Sequence, residues 1–219
     1  MESISFHRGF SLVELMVVLA IIGVIMSIVL TSQSTFNKTI ILKNTAYDIA
    51  LTLRNAETYG LGSRAAGVTA NAGYGVHFQN APTGTFTFFA DTYPLSPSAF
   101  NCHGLPAGGS GAPDAQPGDC AYTAGQDQKV NEYALGNGIT ISDFCALSGG
   151  GVWSCAVARG GGLSSLDIVF ARPNPDAFIR ANGFSYTSAC LTISSPQGGT
   201  RYISVASSGQ ITANAAPCP

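Results

Sequence analysis

The chain has 219 residues, of which 46% are apolar and only 10% charged, and its formal net charge is -2. That length accommodates one anchor segment and one globular domain of ordinary size. With no basic tail or stripe, the charge balance gives no bulk electrostatic case for nucleic-acid binding. Twenty-six glycines and 10% aromatic residues suit short strands and turns better than a helical bundle.

The first element predicted along the chain is an apolar helix from Phe10 to Leu30. At 1.5 Å per residue it would span roughly 31 Å, about the thickness of a hydrocarbon core. Glu14 is the one acid in this run. A carboxylate costs about 2.5–3.5 kcal/mol at mid-bilayer and less near the surface, so it is kept only where it finds a partner. Cleavage between Gly9 and Phe10 would create such a partner, a free α-ammonium on Phe10. An ordinary secretory signal has a shorter apolar core, about 7–15 residues, with a small-residue cleavage site behind it. A plain transmembrane anchor explains the hydrophobicity but not the order Gly-Phe-Ser-Leu-Val-Glu. His7 and Arg8 on the amino side favour an inside N-terminus, which places the residues after Leu30 outside the cytoplasm.

The run Arg8-Gly9-Phe10-Ser11-Leu12-Val13-Glu14-Leu15 closely resembles the signal of type IV prepilins and type II secretion pseudopilins. The resemblance implies cleavage after Gly9 by a membrane prepilin peptidase, N-methylation of Phe10, and a requirement for Glu14 in filament assembly. It also implies the partners: the peptidase, other pilins or pseudopilins in a helical filament, an inner-membrane assembly platform, and membrane lipid. The Phe10 ammonium and Glu14 would form a charge-assisted hydrogen bond in an apolar medium. A neighbour staggered by one helical turn would supply that pair between subunits; a pair within one helix is the other arrangement.

After Leu30 the pattern changes from all-apolar to amphipathic. Leu42, Ala46, Ile49, Ala50, Leu53 and Ala56 recur at three- and four-residue spacing. This predicts a helix that continues from the anchor over 31–60, with its apolar stripe on a sheet and Gly60 and Gly62 as stop signals. From Phe10 to about Tyr59 such a helix would measure roughly 75 Å. Residues 31–37, Thr-Ser-Gln-Ser-Thr-Phe-Asn, are weak helix formers. Many major pilins have a helix-breaking proline near Thr31. None stands here, so any kink would come from Gly23 or this polar stretch, a departure that points towards a minor subunit.

Beyond Gly62, strands are predicted at Gly73–Phe78, Thr85–Asp91, Val130–Leu135, Ile139–Phe144, Leu166–Phe170, Cys190–Ser194, Arg201–Ala206 and Gln210–Ala213. Gly136-Asn137-Gly138 and Ser207-Ser208-Gly209 suggest antiparallel hairpins. Residues 94–128 are rich in Pro, Gly, Ala and Ser and are expected to be a surface insertion. Phe86, Phe88, Phe89, Tyr93 and Phe100 cluster before and into it, as core residues or as an exposed adhesive patch.

All six cysteines, Cys102, Cys120, Cys145, Cys155, Cys190 and Cys218, lie beyond residue 100, and none forms a Cys-x-x-Cys pair. An even count in an exported domain reads as disulfides, and sequence alone does not choose the pairing. Nearest-neighbour pairs, Cys102–Cys120, Cys145–Cys155 and Cys190–Cys218, are expected, the alternative being some free thiols.

The C-terminal part resembles the β-domain of the GspH/FimT class of minor pilins and pseudopilins. Arg201, Ile203, Val205, Gly209 and Ile211 match its last hairpin, Arg-x-Ile-x-Val-x-x-x-Gly-x-Ile. Its Phe-x-x-x-Gly element is missing, since Phe170 leads into Ala-Arg-Pro-Asn.

Catalytic signatures such as Gly-x-Ser-x-Gly, a phosphate loop or His-Glu-x-x-His are absent. His77 on a strand and His103 on a loop read as ordinary imidazoles. Asp114, Asp119 and Asp127 have no EF-hand order and are weak calcium candidates. Arg172, Arg180 and Arg201 make a thin footprint for DNA and read as solvated strand ends. No metal, cofactor or catalytic residue is assigned.

The expected fold class is α+β and pilin-like: a long N-terminal helix, transmembrane in its first half, packed on an antiparallel, disulfide-stapled sheet. The expected division is a leader at 1–9, a transmembrane and filament-core helix at 10–30, its amphipathic continuation at 31–60 and a β-rich head at 61–219. The expected function is structural, as a subunit of a type IV pilus or type II secretion pseudopilus. A pilus-displayed module binding DNA or a surface is the alternative, and a membrane-anchored enzyme a more distant one.

Overall fold

The computed structural model describes residues 11–62, 64–67, 69, 71–81, 83–93, 117–213 and 216–219, with only the backbone described for 31–38. The chain forms two compact units, Met1–Ile40 and Ile41–Pro219. The arrangement is α+β and pilin-like, an apolar N-terminal helix followed by antiparallel sheets. Helix α1 covers Leu12–Leu61. Its backbone stays helical through 31–37, the polar stretch of weak helix formers.

The second unit begins with the Ile41–Leu61 part of α1. Leu42, Ala46, Ile49, Ala50, Leu53 and Ala56 are all buried, the stripe expected from their spacing. Lys43, Asp48 and Arg54 are exposed and Glu57 is half-buried. Thr52 is buried beside the stripe; its hydroxyl donates to the Asp48 carbonyl at 2.9 Å, so no polar group is left unpaired there. Near its end the helix comes close to a strand. A Cβ on Gly60 would lie 2.1 Å from the Phe170 carbonyl oxygen.

The strands are β1 Gly73–Gln79, β2 Thr85–Asp91, β3 Gln128–Ala134, β4 Thr140–Leu147, β5 Trp153–Cys155, β6 Ser165–Phe170, β7 Ala177–Ala181, β8 Phe184–Tyr186, β9 Ser188–Ser194, β10 Thr200–Ala206 and β11 Ile211–Ala213. They form two sheets rather than the single sheet expected, ordered β3-β2-β1-β6-β7-β8 and β11-β10-β9-β4-β5. The pairings within each are antiparallel. One core joins the α1 stripe to Val76, Phe78 and Ile168 of the first sheet and Phe144, Leu191 and Ile203 of the second.

Gly136-Asn137-Gly138 is not a hairpin turn. β3 pairs with β2, where Phe86 and Tyr133 stack with ring centroids 5.1 Å apart, while β4 pairs with β9 and β5. The turn therefore crosses between sheets. Ser207–Gly209 does join the antiparallel β10 and β11. The strands β5, β7 and β8 were not foreseen. β7 and β8 flank Asn182-Gly183, both at positive φ (48° and 81°), the signal that favours a two-residue hairpin.

Strand alternation sends the neighbours Phe88 and Phe89 of β2 to opposite faces and so to different hydrophobic clusters. Phe86 and Phe88 enter the main core. Phe89 packs with Val169 and Cys120, and Tyr122 joins them. Residues 117–122 thus pack on the first sheet, and this limb of the expected surface insertion is partly buried. Tyr93, by contrast, is 40% exposed.

Cys145 and Cys155, opposite one another on β4 and β5, are disulfide-bonded, as are Cys190 and Cys218. Cys120 is also disulfide-bonded. Its expected partner Cys102, together with Phe100, His103, Asp114 and the rest of 94–116, lies outside the described residues.

Candidate assembly site

α1 begins abruptly after Ser11. The Ser11 hydroxyl accepts the Glu14 N–H at 3.2 Å, and the Ser11 carbonyl accepts the Leu15 N–H at 3.2 Å. These are the two bonds of an N-cap residue, whose side chain takes one of the N–H groups that a helix start leaves unpaired. Glu14 therefore stands in the first turn, where the helix dipole favours a negative charge.

All residues from Ser11 to Leu30 are exposed. The candidate span Leu12–Leu30 would cover about 28 Å, and Glu14 is its only ionisable side chain. Its one serine, Ser27, turns its hydroxyl back to the Gly23 carbonyl at 2.8 Å, as an apolar surrounding requires. So large an exposed apolar surface marks contact with lipid or with other chains. Gly9 and Phe10, the expected processing residues, lie outside the described residues.

Residues 4–30 match the family model of the prokaryotic N-terminal methylation motif. That match supports the type IV pilin and pseudopilin family. No curated protein and no solved structure matches the chain. The pilin motif implies processing by a peptidase and assembly with other pilins, and the apolar helix that carries it suggests a membrane anchor.

The head of the chain holds its polar chemistry in structural bonds. Asp91, fully buried at the end of β2, accepts the N–H groups of Asp119 at 3.2 Å and Cys120 at 2.7 Å. Asp127 accepts those of Thr92 and Tyr93, both at 2.9 Å, and of Thr123 at 2.7 Å. The two limbs of the insertion are thereby clamped to each other at its base. Asp119 accepts the Ala121 N–H.

His77 is nearly buried, with Nδ1 2.6 Å from Asp167 Oδ1 and its ring against Tyr122 at 4.8 Å. Asp167 also accepts the Tyr122 N–H at 3.2 Å. Arg172 and Arg180 are not solvated strand ends. Arg172 donates to the Asn71 side chain, and Arg180 to the carbonyls of Asp119 and Gly183, tying β7 to the 117–122 limb. Arg201 donates to the Thr200 carbonyl at 2.8 Å. Asp143, Cys145 and Cys155 lie close together, but both sulfurs are spent in the disulfide.

Burial raises the Asp91 carboxyl well above the usual range, and the charges of Asp127 and Asp119 add to this, against the N–H bonds that lower it. Burial likewise raises Asp127 and Asp167, the latter against the opposing pull of His77. An acid whose folded pKa is raised binds protons more readily folded than unfolded. Its stabilising contribution is present at low pH and lost as pH rises through the folded value. The thermal midpoint of the detergent-solubilised protein is therefore expected to be higher at pH 5 than at pH 8. A steady fall in the midpoint from pH 8 to pH 5 would show that these three groups do not dominate the profile.

Proposed function

We propose that this chain is a structural, non-enzymatic subunit of a type IV pilus or type II secretion pseudopilus, and a minor component of it. Cleavage falls between Gly9 and Phe10, and Phe10 becomes the methylated N-terminus. The anchor helix stores the subunit in the cytoplasmic membrane with its N-terminus inside and its head outside, then passes into the filament core. The observation that carries this reading is the match of residues 4–30 to the methylation motif on an exposed apolar helix whose single carboxylate is Glu14. The β10–β11 hairpin, with Gly209 at φ 81°, supports the minor-subunit part, because it carries the residues that resemble the GspH/FimT class.

In a lipid or filament interior the Glu14 carboxylate and the Phe10 ammonium are each expensive alone and favourable together. Glu14→Ala is expected to leave cleavage intact, read as loss of the first nine residues by intact mass, while cutting incorporation into sheared filaments at least tenfold. Glu14→Asp, one methylene shorter, is expected to fall between the two. Wild-type incorporation of Glu14→Ala would remove the assembly role.

A further inference from the structure

We propose that Ser11 is a positioning residue for Glu14, because its side chain fixes where α1 begins and hence which turn of the helix presents the carboxylate. The inference rests on the assembly reading above. Two bonds define the helix start, Ser11 Oγ with the Glu14 N–H and the Ser11 carbonyl with the Leu15 N–H. The first is made by a side chain, so a substitution removes it without touching the backbone. It lands on the amide of the acid itself, which couples the cap to the placement of Glu14.

The surroundings make the cap matter more than on a water-exposed helix. Every residue from Ser11 to Leu30 is exposed, and the span that follows is apolar enough to cross a membrane. In water, an uncapped amide finds solvent. At a membrane or in a filament core it must find a partner in protein or leave the helix. Without the Ser11 hydroxyl the first turn either frays past Glu14 or extends upstream towards Gly9. Either change shifts Glu14 along and around the helix relative to the new N-terminus. Ser-x-x-Glu, here Ser11 and Glu14, is also the order of a capping box, so the acid occupies the third helical position where a cap holds it best.

What the position needs is an acceptor oxygen on a short side chain. Thr supplies one; Val has the shape of Thr without it. Full-length Ser11→Thr and Ser11→Val chains, co-expressed with the prepilin peptidase and the filament machinery, separate the cap from size and β-branching. Ser11→Thr is expected to enter sheared filaments within about twofold of wild type. Ser11→Val is expected to fall about fivefold or more, the size of a typical lost cap, with normal loss of the leader. In detergent micelles, hydrogen exchange at the Glu14 amide should speed up by at least a similar factor in Ser11→Val and stay unchanged in Ser11→Thr.

Equal incorporation of the Val and Thr chains would overturn the proposal, and so would an unaltered Glu14 amide in the Val chain. A Ser11→Val chain that keeps its leader would place the role of Ser11 in peptidase recognition and overturn it too. Glu14→Ala run in parallel distinguishes the two failures. If Glu14→Ala assembles normally, the assembly reading fails; if it does not while Ser11→Val does, only the positioning role fails.

Discussion

Gly60→Ala is expected to destabilise the head by about 3 kcal/mol or more, the upper range for overpacking a filled site. The added Cβ would stand 2.1 Å from the Phe170 carbonyl oxygen and 2.7 Å from its carbon. Neither is the end of a flexible side chain. Phe170 is fully buried at the end of β6, whose backbone is held by pairing with both β1 and β7. The helix must therefore lift off the sheet locally, which opens contacts around Ala56 and Tyr59. The sign makes the test clean. In a helix without such a contact, replacing Gly by Ala stabilises by about 0.5–1 kcal/mol. A raised thermal midpoint for Gly60→Ala would show that the approach is looser than described.

Asp143→Ala is expected to cost about 2–4 kcal/mol, lowering the thermal midpoint by about 5–15 °C for a domain of this size. One carboxylate organises the whole turn after β5. Its Oδ1 accepts the N–H groups of Phe144 at 2.8 Å, Ala156 at 3.1 Å and Val157 at 2.9 Å, and its Oδ2 that of Ala158 at 2.9 Å. Without them the chain past Cys155 keeps the Cys145–Cys155 disulfide and the bonds from the Ala156 N–H to the Phe144 carbonyl and from the Leu163 N–H to the Cys155 carbonyl, but the Val157 and Ala158 N–H groups lose this acceptor. Asp143→Asn keeps one carbonyl oxygen but turns an N–H₂ group towards a backbone donor, so it should lose roughly half as much. Matching midpoints for Asp143→Ala and the unaltered protein would show that water replaces the carboxylate at no cost.

The helix was legible because one physical signal repeats. Leu42, Ala46, Ile49, Ala50, Leu53 and Ala56 recur at the helical period, and the same residues are buried. β2 was equally clear: its aromatic run Thr85–Asp91 has the bounds expected. What sequence hid was partnership. The local chemistry of Gly136-Asn137-Gly138 makes a turn, but nothing local says that β3 and β4 belong to different sheets. The short strands β5, β7 and β8 lack the length that makes alternation visible, although Asn182-Gly183 marked the β7–β8 turn.

The limb of the insertion at 117–122 is more buried than its composition suggests. Pro, Gly and Asp between 117 and 127 have the composition of a surface loop, and an aspartate ending a strand is ordinarily solvated. Here Asp91 is buried because the N–H groups of Asp119 and Cys120 come to it from 28 and 29 residues further along. At the assembly site, Ser11 and Glu14 were both part of the motif that was read. The cap between them follows from Ser-x-x-Glu at the start of an apolar run, a local pattern that sequence reasoning passed over.

The covalent ties of the second sheet also bear on how a filament would take load. Cys145–Cys155 and Cys190–Cys218 close segments with sequence separations of 10 and 28 residues. The second loop encloses β10 and β11 and fastens the C-terminal end of the chain to β9. When a tethered subunit is pulled, the residues of the two closed segments together cannot pay out as extended chain, which at about 3.4 Å each withholds roughly 120 Å of contour. A head of this construction, if held in a filament, would have less chain to release from its second sheet before it resists.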